Sequence, residues 1–529
     1  MTRKEFRWLI IYSLILAAIT SLPYLTGYSF EGDDWKFTGF VFGVNDGNSY
    51  IAKMLRGSTG DWLFRTPYTT MEQRGVLAFL PYLLLGKLAS GDAIHEQFVA
   101  LFHIFRILSI PLVVIATYKF TSLFIKENGW RKWVTVLATI GGGLGWLIVV
   151  LGMGEIFGSL SPDWISPEWF GFLAVYGLPH LTLARALLLL GVWAYLSSPV
   201  DRRRAWLAGF FFLCLGLVHP LSLVTAFAAI GVHQVAVWIA AGLRKSWFIA
   251  KGWLRSALLT VIIPLPLVIY LGYSFTTDPF LKVWTTQNRI ISPHPIHVLV
   301  AFGLLIVPAI LGIPRILQVR RWSGLLLIGW LAAFPFFAYG SPILQRRLPE
   351  GIWIVWLIMA AIGLSHPWGR EYDKGSLWGK IILGLTLPTS ILLLIGGLQV
   401  ASKPSEPVFR SPSEVVVFEW IRENGKPDDI VLASFSTGNA LPAWAPVRVL
   451  VGHGPESANL KDVLTDVEGF FSGQWGVEEQ LSYVETHQIN YVLVGPTERS
   501  LDQVGFEPAA ILELILEVED YQLYRVNIP

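Results

Sequence analysis

The sequence predicts a polytopic α-helical membrane protein with a C-terminal α/β domain on the outer face. Three observations carry that prediction. Of 529 residues, 53% are hydrophobic and only 15% are charged, against about 25% charged in ordinary soluble domains. Apolar stretches approaching the roughly 20 residues that cross a bilayer recur from the N-terminus to residue 400. Beyond that point short helical and strand-like patterns alternate, as in a small α/β domain. A formal net charge of +2 gives no basic field for nucleic acid. The lone Cys214 permits no disulfide within the chain and, inside an apolar run, reads as a small core hydrophobe.

The basic start over residues 1–7 leads into an apolar stretch from Trp8 to Leu25. Its length, and the lack of a small-x-small cleavage site after it, favour a retained first span over a signal peptide. A polar loop over 27–75 follows, carrying Glu31, Asp33, Asp34, Asp46, Asp61 and Glu72. Residues 76–90 are apolar but short, with Lys87 near their end, and read as a shallow or partial helix. Further spans are expected near 98–124, 133–153, 173–198, 205–222, 223–242, 252–273, 297–314, 323–339, 352–365 and 380–399. The connections 126–132, 201–204, 244–255, 315–321 and 366–379 are short and basic or hydrophilic, so the positive-inside rule keeps them cytoplasmic. The loops 154–172, 274–296 and 340–351 then face outward, together with 27–75 and everything beyond 400. This makes about eleven spans, with a cytoplasmic N-terminus in a plasma membrane. The expected domains are 1–400 in the membrane and 401–529 outside it, joined by a Pro-rich linker at 403–407. In the outer domain the patterns predict helices over 414–423, 461–471 and 477–487. Strands are expected over 430–432, 447–451 and 491–494, and a hairpin over 512–526.

Ionisable residues in and beside membrane segments are expensive and mark functional sites. Here they gather toward the outer ends of the spans: His180 in Gly-Leu-Pro-His, His219 before Pro220, Asp278 before Pro279, and Gln287-Asn288-Arg289. The loop Gln345-Arg346-Arg347-Leu-Pro-Glu350-Gly351 holds paired arginines on the outer side, against the positive-inside trend. Guanidinium forks suit phosphate. A lipid-linked phosphate or pyrophosphate held by Arg346 and Arg347, with a carboxylate taking the proton of an acceptor hydroxyl, fits this distribution. No Gly-rich phosphate loop is present, which disfavours a nucleotide substrate, and Gly141-Gly-Gly143 reads as a close-packing site between helices.

A first span, an acidic outer loop, many further spans and an external α/β domain together resemble the GT-C glycosyltransferase superfamily. The stretch Asn45-Asp46-Gly-Asn48-Ser-Tyr50-Ile-Ala52-Lys-Met54, followed by Gly57 and Gly60-Asp61-Trp62, is similar to that superfamily's first-loop pattern. Gly452-His453-Gly-Pro-Glu456-Ser457 is similar to an outer-domain turn of bacterial proteins of this type, which share stretches like Asp278-Pro-Phe and Gln345-Arg-Arg. The resemblance implies transfer of a sugar from a polyprenyl-phosphate or polyprenyl-pyrophosphate donor to a glycan, lipid or protein acceptor, with Asp46 at the catalytic position. The glutamate that often follows that aspartate is Gly47 here.

Each candidate has a plainer reading beside the functional one. Asn-Asp-Gly-Asn is also turn chemistry. Asp34 is the second candidate for the catalytic carboxylate, yet Asp33-Asp34 also suit the cap of a helix beginning near Trp35. With Asp46 they form a candidate oxygen set for Mg²⁺ or Mn²⁺. Arg346 and Arg347 bind either the donor phosphate or anionic headgroups. His180 and His219 are substrate-binding candidates or satisfied histidines at helix ends. Asp278 is a substrate ligand or a turn initiator, and Gln287 and Asn288 contact sugar hydroxyls or cap the following helix. Rival functions are a transporter or flippase of lipid-linked glycans, and a degenerate transferase acting as a scaffold.

Overall fold

The computed structural model describes residues 1–341, 344–365, 372–502 and 511–527. The expected connection 366–379 therefore lies partly outside the described residues. By internal contacts the chain divides into two units. The first comprises residues 1–21, 104–271 and 289–396, and the second comprises 22–103, 272–288 and 397–529.

The first unit is helical. Seven helices of the chain are long and apolar enough to cross a membrane: Arg3–Ser29, Ile94–Thr121, Pro179–Ser197, Pro220–Leu243, Pro295–Val319, Arg321–Tyr339 and Ser376–Ala401. An eighth span results if Trp247–Ile262 and Leu265–Thr277, bent by 57° at their junction, count as one. Proline at position 264 explains the bend, because it lacks the N–H that would continue the helix. The other expected stretches are also helices, but shorter: Asn128–Ile140, Arg203–Val218 and Ile352–Leu364. The expected span at 133–153 is interrupted after Ile140 by the glycines and resumes as Gly145–Val150. Asp163, buried, holds that break by accepting from the Gly143 and Gly145 amides, Ser161 Oγ and Thr389 Oγ1.

In the second unit, residues 76–90 contain only the seven-residue helix Leu80–Gly86, far short of a span. No helix begins near Trp35, so Asp33 and Asp34 cap nothing there. Residues Lys36–Phe37 instead pair antiparallel with Phe409–Arg410. A long-range strand partner, invisible to local pattern, has overridden the helical reading. The C-terminal region forms a five-stranded sheet in the order Arg448–Val449, Ile430–Leu432, Tyr491–Val494, Tyr521–Val526, Leu512–Val518. The first three strands are parallel and the last two complete an antiparallel hairpin. Helices Pro412–Asn424, Leu460–Phe471 and Val477–Thr486 fall where the sequence places them. Val467, Phe470, Phe471 and Val484 pack with the sheet residues Leu432, Val492 and Val494 into one buried cluster.

Candidate functional site

Asp46 lies in the first turn of the helix Val44–Ser58, where the helix dipole favours a carboxylate. The turn reading of Asn-Asp-Gly-Asn gives way to a helix start: Gly43 takes the left-handed conformation at the cap, φ 56°. Gly47 is sterically required, since a Cβ there would lie 2.5 Å from the Phe40 ring. The acidic pair of the resembled pattern therefore has no room at its second position.

The imidazole beside Asp46, and the carboxylate beyond it, come from far along the chain. His453 Nε2 is 3.0 Å from Asp46 Oδ1, and His453 Nδ1 is 3.5 Å from Glu456 Oε1. The same Glu456 oxygen accepts from Lys53 Nζ at 2.6 Å and Ser49 Oγ at 2.8 Å, and Oε2 accepts from Thr66 Oγ1 at 2.6 Å. Lys53 also donates to Ser49 Oγ, one helical turn before it. The side chains of Lys53, Glu456 and His453 are 1%, 7% and 6% exposed, whereas that of Asp46 is 54% exposed. Three buried groups thus end in one accessible carboxylate. Asn48 Nδ2 donates to Asn439 Oδ1, Tyr68 OH donates to the Asn439 carbonyl, and the Tyr68 ring lies 5.5 Å from that of His453.

The other first-loop candidate, Asp34, is exposed and makes no side-chain hydrogen bond or ion pair among the described residues. Asp33, Asp34 and Asp46 do not form the expected oxygen set. Among the described residues no group of three or more His, Cys, Asp or Glu side chains is placed to hold a metal ion.

Two substrate-binding candidates have structural partners. Asp278 is buried, caps its own helix through Leu281 N at 2.9 Å, and accepts from Arg74 N at 2.7 Å. Both of its oxygens serve backbone amides, the turn-initiating role. Gln287 ends that helix; its Nε2 donates to the Ser457 carbonyl at 2.6 Å and its Oε1 accepts from Asn459 N at 3.0 Å. It clasps the end of the loop that carries His453 and Glu456. Asn288 is buried with its Nδ2 unpaired among the described residues.

In the first unit, Arg346 and Arg347 sit on a segment pinned from several sides. Trp169 Nε1 donates to the Arg346 carbonyl at 2.7 Å, Thr225 Oγ1 to the Leu348 carbonyl at 2.9 Å, and Gly351 N to the Glu168 carbonyl at 2.9 Å. Glu350 pairs with Arg185 at 2.7 Å, both nearly inaccessible. Burial pushes the Glu350 carboxyl up to about 7, against the lowering pull of Arg185 and helped by the nearby Glu168. Arg347 Nε lies 3.9 Å from Glu168 Oε1 and is 26% exposed. The structure also brings His180 and His219 together, with ring centroids 5.9 Å apart, and His219 Nδ1 lies 2.7 Å from Ser222 Oγ.

Sequence reading missed Lys53, Ser49, Thr66 and Asn439. One signal was present: a lysine four residues after a serine, on the same face of an amphipathic helix as buried residues. Its partner Glu456 lies 403 residues away, beyond any local pattern.

No protein-family model matches the chain, and no curated protein matches it. Solved structures do. An oligosaccharyltransferase from Archaeoglobus fulgidus, tethered to an acceptor peptide containing an NVT sequon, is similar over 92% of this chain and 69% of its own, with TM-score 0.53 and 15% identity. The same enzyme with an inhibitory peptide and a dolichol-phosphate is similar over 93% and 70%, with TM-score 0.52 and 14% identity. The arabinofuranosyltransferase AftD from Mycobacteria is similar over all of this chain and 42% of its own, with TM-score 0.53 and 12% identity. The chain has the GT-C fold of these membrane glycosyltransferases.

Proposed function

We propose that the protein is a membrane glycosyltransferase that moves a sugar from a polyprenyl-phosphate donor to an acceptor hydroxyl on the outer face, with Asp46 as general base. The observation that carries this reading is the accessible Asp46 carboxylate, placed at a helix N-terminus and backed by buried charged groups. In the proposed step the acceptor's proton passes to Asp46 as its heteroatom attacks the anomeric carbon. The bond from that carbon to the phosphate oxygen breaks, and the lipid phosphate leaves with its electron pair. Direct displacement inverts the anomeric centre. Arg346 and Arg347 are assigned to the phosphate, a preorganised electrostatic role supported by the fixed backbone of their segment. The paired rings of His180 and His219 are assigned to the donor as well. Asp34 is the second choice for the base, and no step is routed through Mg²⁺ or Mn²⁺.

The test is transfer from a panel of radiolabelled polyprenyl-phosphate sugars by the protein in lipid nanodiscs, with Asp46→Asn beside it. We expect transfer or slow donor hydrolysis in the wild type and a loss on the order of 10²-fold or more in the variant, the scale of general-base removal. Full activity in a correctly inserted Asp46→Asn protein would remove Asp46 from the mechanism. Tight donor binding without transfer across the panel would instead support a flippase or a scaffold.

A further inference from the structure

We propose that His453, supplied by the C-terminal part of the second unit, is the positioning residue for Asp46, and that Glu456 and Lys53 in turn fix His453. The proposal rests on the reading of Asp46 as the base. A half-exposed aspartate in the first turn of a helix has two side-chain torsions to sample, and only some of its orientations aim an oxygen at an acceptor. Holding Oδ1 at 3.0 Å from a buried imidazole nitrogen fixes the plane of that carboxylate before any substrate arrives.

The imidazole is itself held. The backbone N–H of His453 donates to Ser457 Oγ at 3.2 Å, Tyr68 lies beside the ring, and Nδ1 lies 3.5 Å from Glu456 Oε1 as a charge contact without a hydrogen bond. Glu456 is held on both oxygens by Lys53, Ser49 and Thr66. A ring with a proton on Nε2 donates to Asp46. Asp46 and Glu456 are the carboxylates next to the ring, Lys53 is the cation across Glu456, and with the imidazole protonated the four charges cancel.

A purely fastening role for His453 would be redundant. The 452–457 loop is already attached to the first-loop segments by the Lys53, Ser49 and Thr66 bonds to Glu456, and Asn48 is bonded to Asn439. An added contact to a half-exposed carboxylate contributes little to stability. It does set the direction of the group assigned to the chemistry, and a misplacement of about 1 Å at a reacting group costs on the order of 10²-fold in rate.

The experiment compares His453→Ala, His453→Gln and Asp46→Asn in the full chain in nanodiscs, reading kcat, KM for the donor, and melting temperature. We expect His453→Ala to lower kcat by about 10²-fold with donor KM and melting temperature unchanged. His453→Gln, whose amide N–H can reach Asp46, should recover a large part of that loss. If His453→Ala keeps full kcat while Asp46→Asn is inactive, the positioning role is overturned and the base assignment stands. If Asp46→Asn is itself fully active, the base assignment fails first. A loss of kcat in both His453 variants that tracks a fall in melting temperature would make His453 a structural tether and overturn the proposal.

Discussion

Burial alone would raise the Glu456 carboxyl, yet Lys53, His453 and the hydroxyl of Thr66 outweigh it and hold the group at about 2. Such a depressed value is a stability term. The folded chain binds fewer protons than the unfolded chain between the ordinary carboxylate value and about 2, so the contribution is complete above about pH 4.5 and is lost as pH falls through that window. Removing one partner of a buried pair leaves the other charge uncompensated, at a cost of about 3–5 kcal/mol. Glu456→Gln should therefore lower the melting temperature clearly at pH 7, and the difference from wild type should shrink as pH is lowered toward 3. A pH-independent difference would show that packing, and not the ion pair, is what the substitution removes. At the same scale, Asp278 and Gln287 illustrate how polar residues gain structural partners that residue type alone does not reveal. Each of their polar atoms has a backbone partner, at Leu281, Arg74, Ser457 and Asn459, which spacing does not disclose.

The element that matters most is the helix Val44–Ser58. Asn, Asp and Gly at its start are poor helix formers, and an isolated segment of this length is marginal in water. Packing makes up the difference: Ile51, Ala52, Met54 and Leu55 are buried, and the helix closes on Leu80–Gly86 with no space for a side chain at position 57. A Cβ on Gly57 would lie 2.1 Å from the Leu83 carbonyl oxygen, a backbone atom that cannot swing aside. Gly57→Val should separate the two helices, destabilise the unit by about 1–3 kcal/mol or more, and speed amide hydrogen exchange across 44–58. Unchanged exchange there would show that the close approach is not required for the helix. The pattern of the C-terminal strands was more readable. Ile430–Leu432 and Tyr491–Val494 stand at their expected positions because short apolar runs bounded by turn residues are parallel strands buried on both faces. The two-residue pairing of Lys36–Phe37 with Phe409–Arg410 left no such trace.

For the whole molecule, the alternation of basic and non-basic loops predicts a cytoplasmic N-terminus and an outer C-terminal region. In a Cys214→Ser background, a membrane-impermeant maleimide applied to intact cells should label cysteines placed at Trp62 and Lys461 but not one placed at Arg203. Labelling of the Arg203 position would invert the topology and remove the outer-face assignment. The sequence by itself determined the membrane class, the helical stretches, the α/β character of the C-terminal region, and Asp46, Arg346 and Arg347 as candidates. The class and the elements follow from composition and short-range periodicity, which every segment carries within itself. Arg346 and Arg347 follow from their place in an expected outer loop, and Asp46 from the resemblance of its stretch to the GT-C first-loop pattern. Only the tertiary structure decided what stands behind Asp46. The contacts of Asp46 with His453 and of Lys53 with Glu456 join residues 407 and 403 positions apart. Such pairs are selected by packing and charge compensation in the folded chain, so neither partner's local sequence announces the other.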